Sequence, residues 1–536
     1  MNTKKAFNGK SQRIILGIDL GTSGIRGCIV KRNIQTNSDR ATAFSNPSLD
    51  KRLFEIQIPF TSLKGSQQST TRFSQTRPTL QTSQSPELWE KALLELLNKI
   101  KNLPVTNHIE HIVCDATSST LLLTDDAGKA ITPVLMYDSK VASAESACIE
   151  TYAKNDPDTA ARGVSSSLAK ALFLYKNSIP ENIKNIHIQH QIDWLNRYFL
   201  NEISTHKTIF CDENNLLKLG YNPEIKDYPH WVKNVFSQEM PMAQLPKALP
   251  AGNILGKVKD TIIRAIGFSK NCVLHAGTTD SIAGFLATGA NQVGDATSSL
   301  GSTLAIKQLT EKPFFSFEHG IYSHKIHSIW LLGGASNGGG QVLLNYYSLQ
   351  EVQFLDQLCQ FIDKHLQDGE ADFIFKERDP ILQPRILELF DEFQTLHDYY
   401  SLLQNGERFP INDSTFTGRL KPSPITDLKT IFPSRPIDKL TPVEMHKWLT
   451  QLNESQFNVC IDHLLFFNSM IQGFVQIEKK AYELMEKSGT ELANLYSVGG
   501  GNKNGYWQIL RKRYLTDCIK SPFSENAAYG VTRLVI

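Results

Sequence analysis

The sequence predicts an α/β chain of two lobes, and three observations carry that prediction. At 536 residues the chain is too long for one ordinary core. Short apolar runs with strand character alternate with longer segments of helical spacing. A polar, glycine-bearing turn between two apolar runs occurs once in each half, at Asp19 to Arg26 and again at Ser299 to Thr303. Two such turns point to two similar substructures that face each other, an inference stronger than either turn alone.

Composition narrows the class. Hydrophobic residues make up 41% and charged residues 21%, as in soluble globular proteins. With 56 Lys and Arg against 54 Asp and Glu, the net charge of +2 gives no reason to expect nucleic acid or an anionic membrane as partner. Small-molecule chemistry is therefore favoured. The 8 cysteines are scattered without a CxxC pair, which argues against a disulfide framework or a cysteine zinc site and for a reduced, cytoplasmic setting. Lys4 and Lys5 have no apolar stretch behind them, and Asp19 interrupts the run from Ile14, so neither a targeting nor a membrane segment is expected.

Taken in order, Ile14 to Leu16 and Cys28 to Val30 read as two strands around the first turn. The turn gathers Asp19, Gly21, Thr22, Ser23, Gly24 and Arg26. A carboxylate, two hydroxyls, free backbone amides and a guanidinium suit a metal-bound polyphosphate, although the same residue types also build plain hairpins. Gly9-Lys10-Ser11 imitates the tail of a P-loop, but Lys4 stands where the first glycine belongs. Asn33 to Gln84, rich in Ser, Thr and Gln, reads as a surface excursion. Ser85-Pro86 starts a helix through Leu97. His111 to Cys114 reads as a buried strand running into the polar knot Asp115 to Thr120. Strand ends of open α/β sheets are where ligands sit, and a serine-rich turn is the alternative. Ser165 to Lys176 and His190 to Asn201 have helical spacing, and Asp212 to Asn215 reads as a helix cap.

In the second half Asp280 follows two threonines and opens a small-residue helix, with Gly277 and Gly284 leaving room around it. An Asp in that place is often only a cap. Ser299 to Thr303 then repeats the logic of the first turn, and the pair suggests one phosphate chain held from two sides. Ile329 to Leu332 reads as a strand before the glycine-rich run Gly333 to Gly340. Gln350 to Tyr399 reads as a solvated helical insertion, Lys421 to Asn458 as a proline-bearing excursion, and His463 to Met485 as an amphipathic helix. Leu495 to Leu510 is a short strand, three glycines and a helix. Bare backbone there can seat a nucleotide base and ribose, or simply form a loop.

Together these blocks resemble the FGGY carbohydrate kinases of the actin-like ATPase superfamily. Four matches in order carry the resemblance: GIDLGTSGIR at Gly17 to Arg26, AGTTDSIAGF at Ala276 to Phe285, SLGST at Ser299 to Thr303, and VGGGNKNGYW at Val498 to Trp507. NGERFP at Asn405 to Pro410 and the ending ENAAYG add to it. The resemblance implies two actin-like, ribonuclease H-like lobes with a nucleotide cleft between them, residues 13–290 and 291–536, the second with insertions near 350–399 and 424–458. It implies magnesium held by Asp19, with Thr22, Ser23 and Arg26 near the transferred phosphate. Asp280 takes the family's place of catalytic base. Gly301, Ser302 and Thr303 fall on the ATP phosphates, Gly499, Gly500 and Gly501 along the adenosine, and Asn504 near the base. The sugar would meet Asp115, Thr117, Ser118, Ser119, Asp212 and Asp280. The xylulokinase branch carries Met-His and the glycerol kinase branch Arg-Glu where this chain has Ser118-Ser119. DATSSTLLL, MYDS and NNLLKLGY are most similar to the D-ribulokinase and plant-cyanobacterial xylulose-kinase-like branch. The implied activity is ATP-dependent phosphorylation of a ketopentose such as D-ribulose on its terminal hydroxyl. The alternatives are a xylulokinase, another polyol kinase, or an idle nucleotide- or sugar-binding regulator. A monomer or homodimer acting on a small sugar, without nucleic acid or membrane, is the implied assembly.

Overall fold

Leu16, Ile18 and Leu20 are fully buried, and so is Ile15 on the opposite face, which marks Gln12–Leu20 as a central strand covered on both sides. It forms a hairpin with Gly24–Asn33 and a parallel ladder with His111–Ala116. The computed structural model describes residues 12–33, 44, 46–63, 84–180, 183–200, 209–369, 382–433 and 440–536. Of the surface excursion expected at Asn33 to Gln84, residues 34–43, 45 and 64–83 lie outside these residues, and Asp50–Pro59 is instead a strand paired with Gly24–Asn33.

The two expected α/β lobes are present. The first is a six-stranded sheet in the order Ile254–Lys257, Val273–Thr279, His111–Ala116, Gln12–Leu20, Gly24–Asn33, Asp50–Pro59. The second runs Tyr322–Ile326, Ile329–Ser336, Leu304–Thr310, Ala296–Leu300, Leu495–Val498, Ile519–Lys520. In both, the first hairpin strand also pairs in parallel with a strand from much later in the chain, Ala296–Leu300 with Leu495–Val498 in the second lobe. The lobes thus share a core of one hairpin and a parallel strand beside it, and they differ toward the sheet edges. Each parallel partner leads to a site residue beside a hairpin turn, Asp115 in one lobe and Gly499, just past the strand, in the other.

Helices cover the sheets. Pro86–Ile100 starts where Ser85 Oγ accepts from Leu88 N at 3.3 Å, and it buries Trp89, Leu93, Leu96 and Leu97 on the first sheet. In the second lobe Glu454–Met485 is the spine, with Asn453 capping it and a buried side running from Phe457 to Met485. Here the structure departs from the solvated insertion expected at Gln350 to Tyr399. Leu349–Gln367 buries Phe354, Leu355, Leu358, Cys359 and Ile362, and Gln383–Gln394 buries Ile386, Leu389 and Phe393. Both pack into the same core as the spine. The charges at Gln350 to Tyr399 concealed an apolar stripe of ordinary helical period.

The chain end returns to the first sheet. An added Cβ at Gly17 would stand 1.9 Å from Ala528 O, and one at Gly530 would stand 1.8 Å from Ala283 O. Ala527–Thr532 is therefore wedged between the central strand and the helix Asp280–Ala287. Arg32 fixes it, donating to Thr532 O at 2.9 Å and Val535 O at 2.7 Å while pairing with Asp50 at 2.7 Å. Across the lobes, Phe317 N donates to Asp158 Oδ1 at 2.8 Å and the Arg162 guanidinium lies 3.9 Å over the Phe317 ring. No helix among the described residues is long and apolar enough to cross a membrane.

Candidate active site

The first turn is a real cradle. Gly21 N donates to Gly24 O at 3.0 Å, and a Cβ at Gly24 would meet Ile58 O at 2.3 Å, so the turn must stay bare against the third strand. Asp19 and Arg26 face each other on the paired strands and join at 2.8 Å, the carboxylate buried and the arginine half-buried. Asp19, Thr22, Ser23, Arg26 and Asp280 line one cavity of about 230 Å³, together with Gln57. Register explains Gln57: it lies opposite Arg26 on the neighbouring strand.

Two carboxylates on adjacent strands, Asp19 and Asp115, lie near a third, Asp280, at the helix start just past the next strand. Asp19 pairs in register with Asp115, and Asp115 with Thr278, two residues before Asp280. Burial, then the Asp19 charge, pushes Asp115 well above the ordinary carboxylate range. Burial also raises Asp19, against the pull of Arg26. Neither Asp115 oxygen meets an N–H or O–H donor among the described residues, although both are buried. A buried carboxylate pair in which both Asp115 oxygens lack a donor among the described residues, beside a hydroxyl-bearing turn, fits magnesium, which takes hard oxygen ligands and keeps several waters. Asp280 is half-buried, at the first residue of its helix, where its Oδ1 accepts from Ser281 N at 2.7 Å. Burial, then Asp19, raises it to about 6.

Asp280 also lines a second cavity, of about 340 Å³, reached by both lobes. Thr117, Ser118, Tyr137 and Lys218 come from the first lobe, and Lys307, Tyr322, His324 and Arg408 from the second. A relay of buried amides ties the two cavities together. Gln84 Nε2 donates to Thr22 O at 2.8 Å, Gln191 Nε2 to Gln84 Oε1 at 3.1 Å, and Thr117 Oγ1 to Gln191 Oε1 at 2.6 Å. Buried Lys170 donates to Ser119 O and, at 3.0 Å, to Met136 O, which fixes the loops that present Ser118 and Tyr137. Burial pulls that lysine down to about 7.

Other sequence-predicted residues fall elsewhere. Ser119 is fully buried and its hydroxyl donates to Ser165 O at 2.9 Å. Asp212 lines neither cavity. Its carboxylate accepts from Asn214 N, Asn215 N and Asn215 Nδ2 at 3.1, 3.0 and 2.8 Å, the helix cap that its sequence context suggested. Through that cap Asn214 Nδ2 donates to Thr278 Oγ1 at 3.1 Å and steadies the strand end before Asp280.

Gly301, Ser302, Thr303 and Gly499 to Gly501 line neither cavity, but they are brought to one another. A Cβ at Gly499 would stand 2.9 Å from Leu300 O, and one at Gly501 would stand 2.8 Å from Leu300 Cβ. Gly340 N donates to Gly301 O at 2.9 Å, so the glycine run after Ile329–Ser336 backs the same turn. Asn504 caps Gly505–Tyr514, its Oδ1 accepting from Trp507 N at 2.8 Å, while its buried Nδ2 has no partner among the described residues. Asp356 in Leu349–Gln367 accepts from Gly505 N and Tyr506 N at 3.1 and 2.7 Å. The segment expected to be a solvated insertion holds this motif in place.

Sequence reasoning did not single out Gln57, Lys170, Lys218, Lys307, Tyr322 or His324. Lys307 and His324 sit on strands whose alternation was readable, but their convergence depends on how the two lobes meet.

No family model matches the chain. A xylulose kinase from Haemophilus influenzae is 26% identical over 251 residues, 44% of this chain and 49% of that protein, so the match spans about half the length of that curated relative. Among solved structures, a gluconate kinase from Lactobacillus acidophilus superposes with a TM-score of 0.64 at 13% identity, over 98% of this chain and 89% of that one. A xylulose kinase from Bifidobacterium adolescentis gives 0.63 at 14% identity, over 98% and 92%. A glycerol kinase from Plasmodium falciparum, solved with ADP, gives 0.62 at 13% identity, over 98% and 89%. The chain has the two-lobed α/β fold of these sugar and glycerol kinases.

Proposed function

We propose that the chain is an ATP-dependent sugar kinase that transfers a phosphoryl group to the terminal hydroxyl of a ketopentose, with D-ribulose the first candidate. The observation that carries this reading is that Asp280 lines both cavities, one with phosphate-binding chemistry and one of sugar size. A hydroxyl in the larger cavity and a phosphoryl group in the smaller one would meet at its carboxylate.

The chemistry asks little more of the protein. Phosphoryl transfer needs alignment and charge neutralisation, with few covalent steps for side chains. Asp280 accepts the hydroxyl proton from hydrogen-bond distance, about 3 Å, as the oxygen attacks. The Thr22 and Ser23 hydroxyls and Arg26, on the turn that the Gly21 N to Gly24 O bond closes, hold the transferred group. Bound at Asp19 with Asp115 behind it, magnesium would neutralise phosphate charge. Gly301 to Thr303, with Gly499 to Gly501 against them, form the nucleotide side.

Xylulose is the second reading, favoured by the named function of the Haemophilus relative. An idle regulator is the third, and Asp19 and Asp280 together speak against it. The test is ADP release by the purified chain across a panel of ketoses and polyols. The reading expects sugar-dependent release, greatest with a ketopentose, and a chain inert toward the whole panel refutes it. The pH profile gives a second check. The base must be ionised and its folded value is raised to about 6, so kcat/KM falls about tenfold per unit below that pH. A profile level down to pH 4.5 would mean an ordinary, solvated carboxylate.

A further inference from the structure

Three cations in the larger cavity have no use in the reaction just described. Lys218, Lys307 and Arg408 line it, and among the described residues none has a carboxylate at ion-pair distance. The one acid in the lining is Asp280. Arg and protonated Lys carry hydrogen-bond donors and no acceptor, so in its charged form this end of the cavity asks its ligand for lone pairs. The phosphate side has its own guanidinium, Arg26, in the other cavity.

The cations are held in place. Glu407, next to Arg408, accepts from Ser336 Oγ at 2.6 Å, Asn337 N at 2.7 Å and Tyr400 Oη at 2.8 Å, which pins the loop against the end of Ile329–Ser336. The Lys218 ammonium lies 5.8 Å over the Tyr322 ring. Burial pulls Lys307 down to about 7, with Asp280 opposing and Lys218 adding to the fall. Such a group regains its proton when an oxygen with free lone pairs arrives.

We propose that Lys218, Lys307 and Arg408 form a docking wall, drawn from both lobes, for a carbonyl or carboxylate oxygen of the sugar, and so select against substrates that are hydroxyl throughout. This rests on the kinase reading above. A hydroxyl can turn a lone pair to a cation, but its own O–H must then reach one of the acceptors elsewhere in the lining, Asp280, His324 or a side-chain hydroxyl. A keto or carboxylate oxygen has no such hydrogen to place.

The experiment compares kcat/KM of the full-length chain on matched five-carbon sets: D-ribulose, D-ribonate and ribitol, then D-xylulose, D-xylonate and xylitol. Within a set only the group next to the chain end or at it changes. The expected result is a ketose or aldonate ahead of the alditol by about 10- to 100-fold, the range of a charge-assisted hydrogen bond, and the better of the two identifies the oxygen. Lys307→Met and Arg408→Met should each shrink that ratio toward one while ADP affinity holds. An alditol within threefold of both partners overturns the inference and leaves the kinase reading standing. Variants that keep the full ratio overturn the assignment to these residues, and a chain inert toward both sets overturns the inference outright.

Discussion

Replacing Asp280 with Asn lowers sugar-dependent turnover by about 10²- to 10⁴-fold, the usual range for a positioned general base. The amide keeps the size of the side chain and can still accept from Ser281 N, which Asp280 Oδ1 does at 2.7 Å, so the fold and the helix start are preserved. It cannot take a proton. ADP affinity should stay near wild type, because the nucleotide-side turn around Gly301 and Gly499 lies in the other lobe. Removing a negative charge beside Asp19 and Asp115 also lowers the protonation of that pair, since Asp280 is one of the charges that raises Asp115. A loss in kcat with unchanged nucleotide binding is therefore the signature. An Asn variant with wild-type kcat would remove Asp280 from the reaction.

Arg511→Met destabilises the chain by about 3–5 kcal/mol, the cost of leaving a buried partner charge unpaired. Arg511 and Glu478 are both fully buried and 3.0 Å apart. Arg511 Nη1 also donates to Ser497 Oγ at 2.7 Å and Gln508 Oε1 at 2.9 Å. The guanidinium thus joins the spine Glu454–Met485, the helix Gly505–Tyr514 and the strand that ends at Val498, one residue before Gly499. Methionine fills a similar volume but satisfies none of these groups. Denaturant unfolding measures the loss, and Glu478→Gln in the Arg511→Met background should recover part of it. Full stability of the single variant would show that the pair carries no weight in the second lobe.

Much of this architecture was legible because the turn residues are local. Asp19 to Arg26 and Ser299 to Thr303 announce themselves by composition, and their repetition pointed to two lobes before any pairing was known. Asp280 was readable for the same reason, as a carboxylate at a helix start between glycines. What the sequence hid was set by distance along the chain. The charged stretch from Gln350 to Tyr399 looked solvated because its helices carry charge on one side, yet the other side faces a helix about a hundred residues later. Asp356 then reaches Gly505 and Tyr506, a link no local pattern records. The Gln84–Gln191–Thr117 relay and the cationic wall are of the same kind. Asp212 illustrates the reverse error. Its neighbourhood offered a cap and the resemblance a sugar contact, and its carboxylate accepts three hydrogen bonds in the cap.

The central claim is that Asp280 joins a sugar cavity to a phosphate cavity so that a hydroxyl is phosphorylated across it. The most direct measurement is the product itself, followed by phosphorus NMR after incubating the chain with ATP, magnesium and D-ribulose or D-xylulose. The account predicts one phosphate monoester formed per ADP, with its phosphorus coupled to the two protons of a terminal CH₂. Inorganic phosphate with unmodified sugar, or a phosphate on an internal carbon, would contradict it.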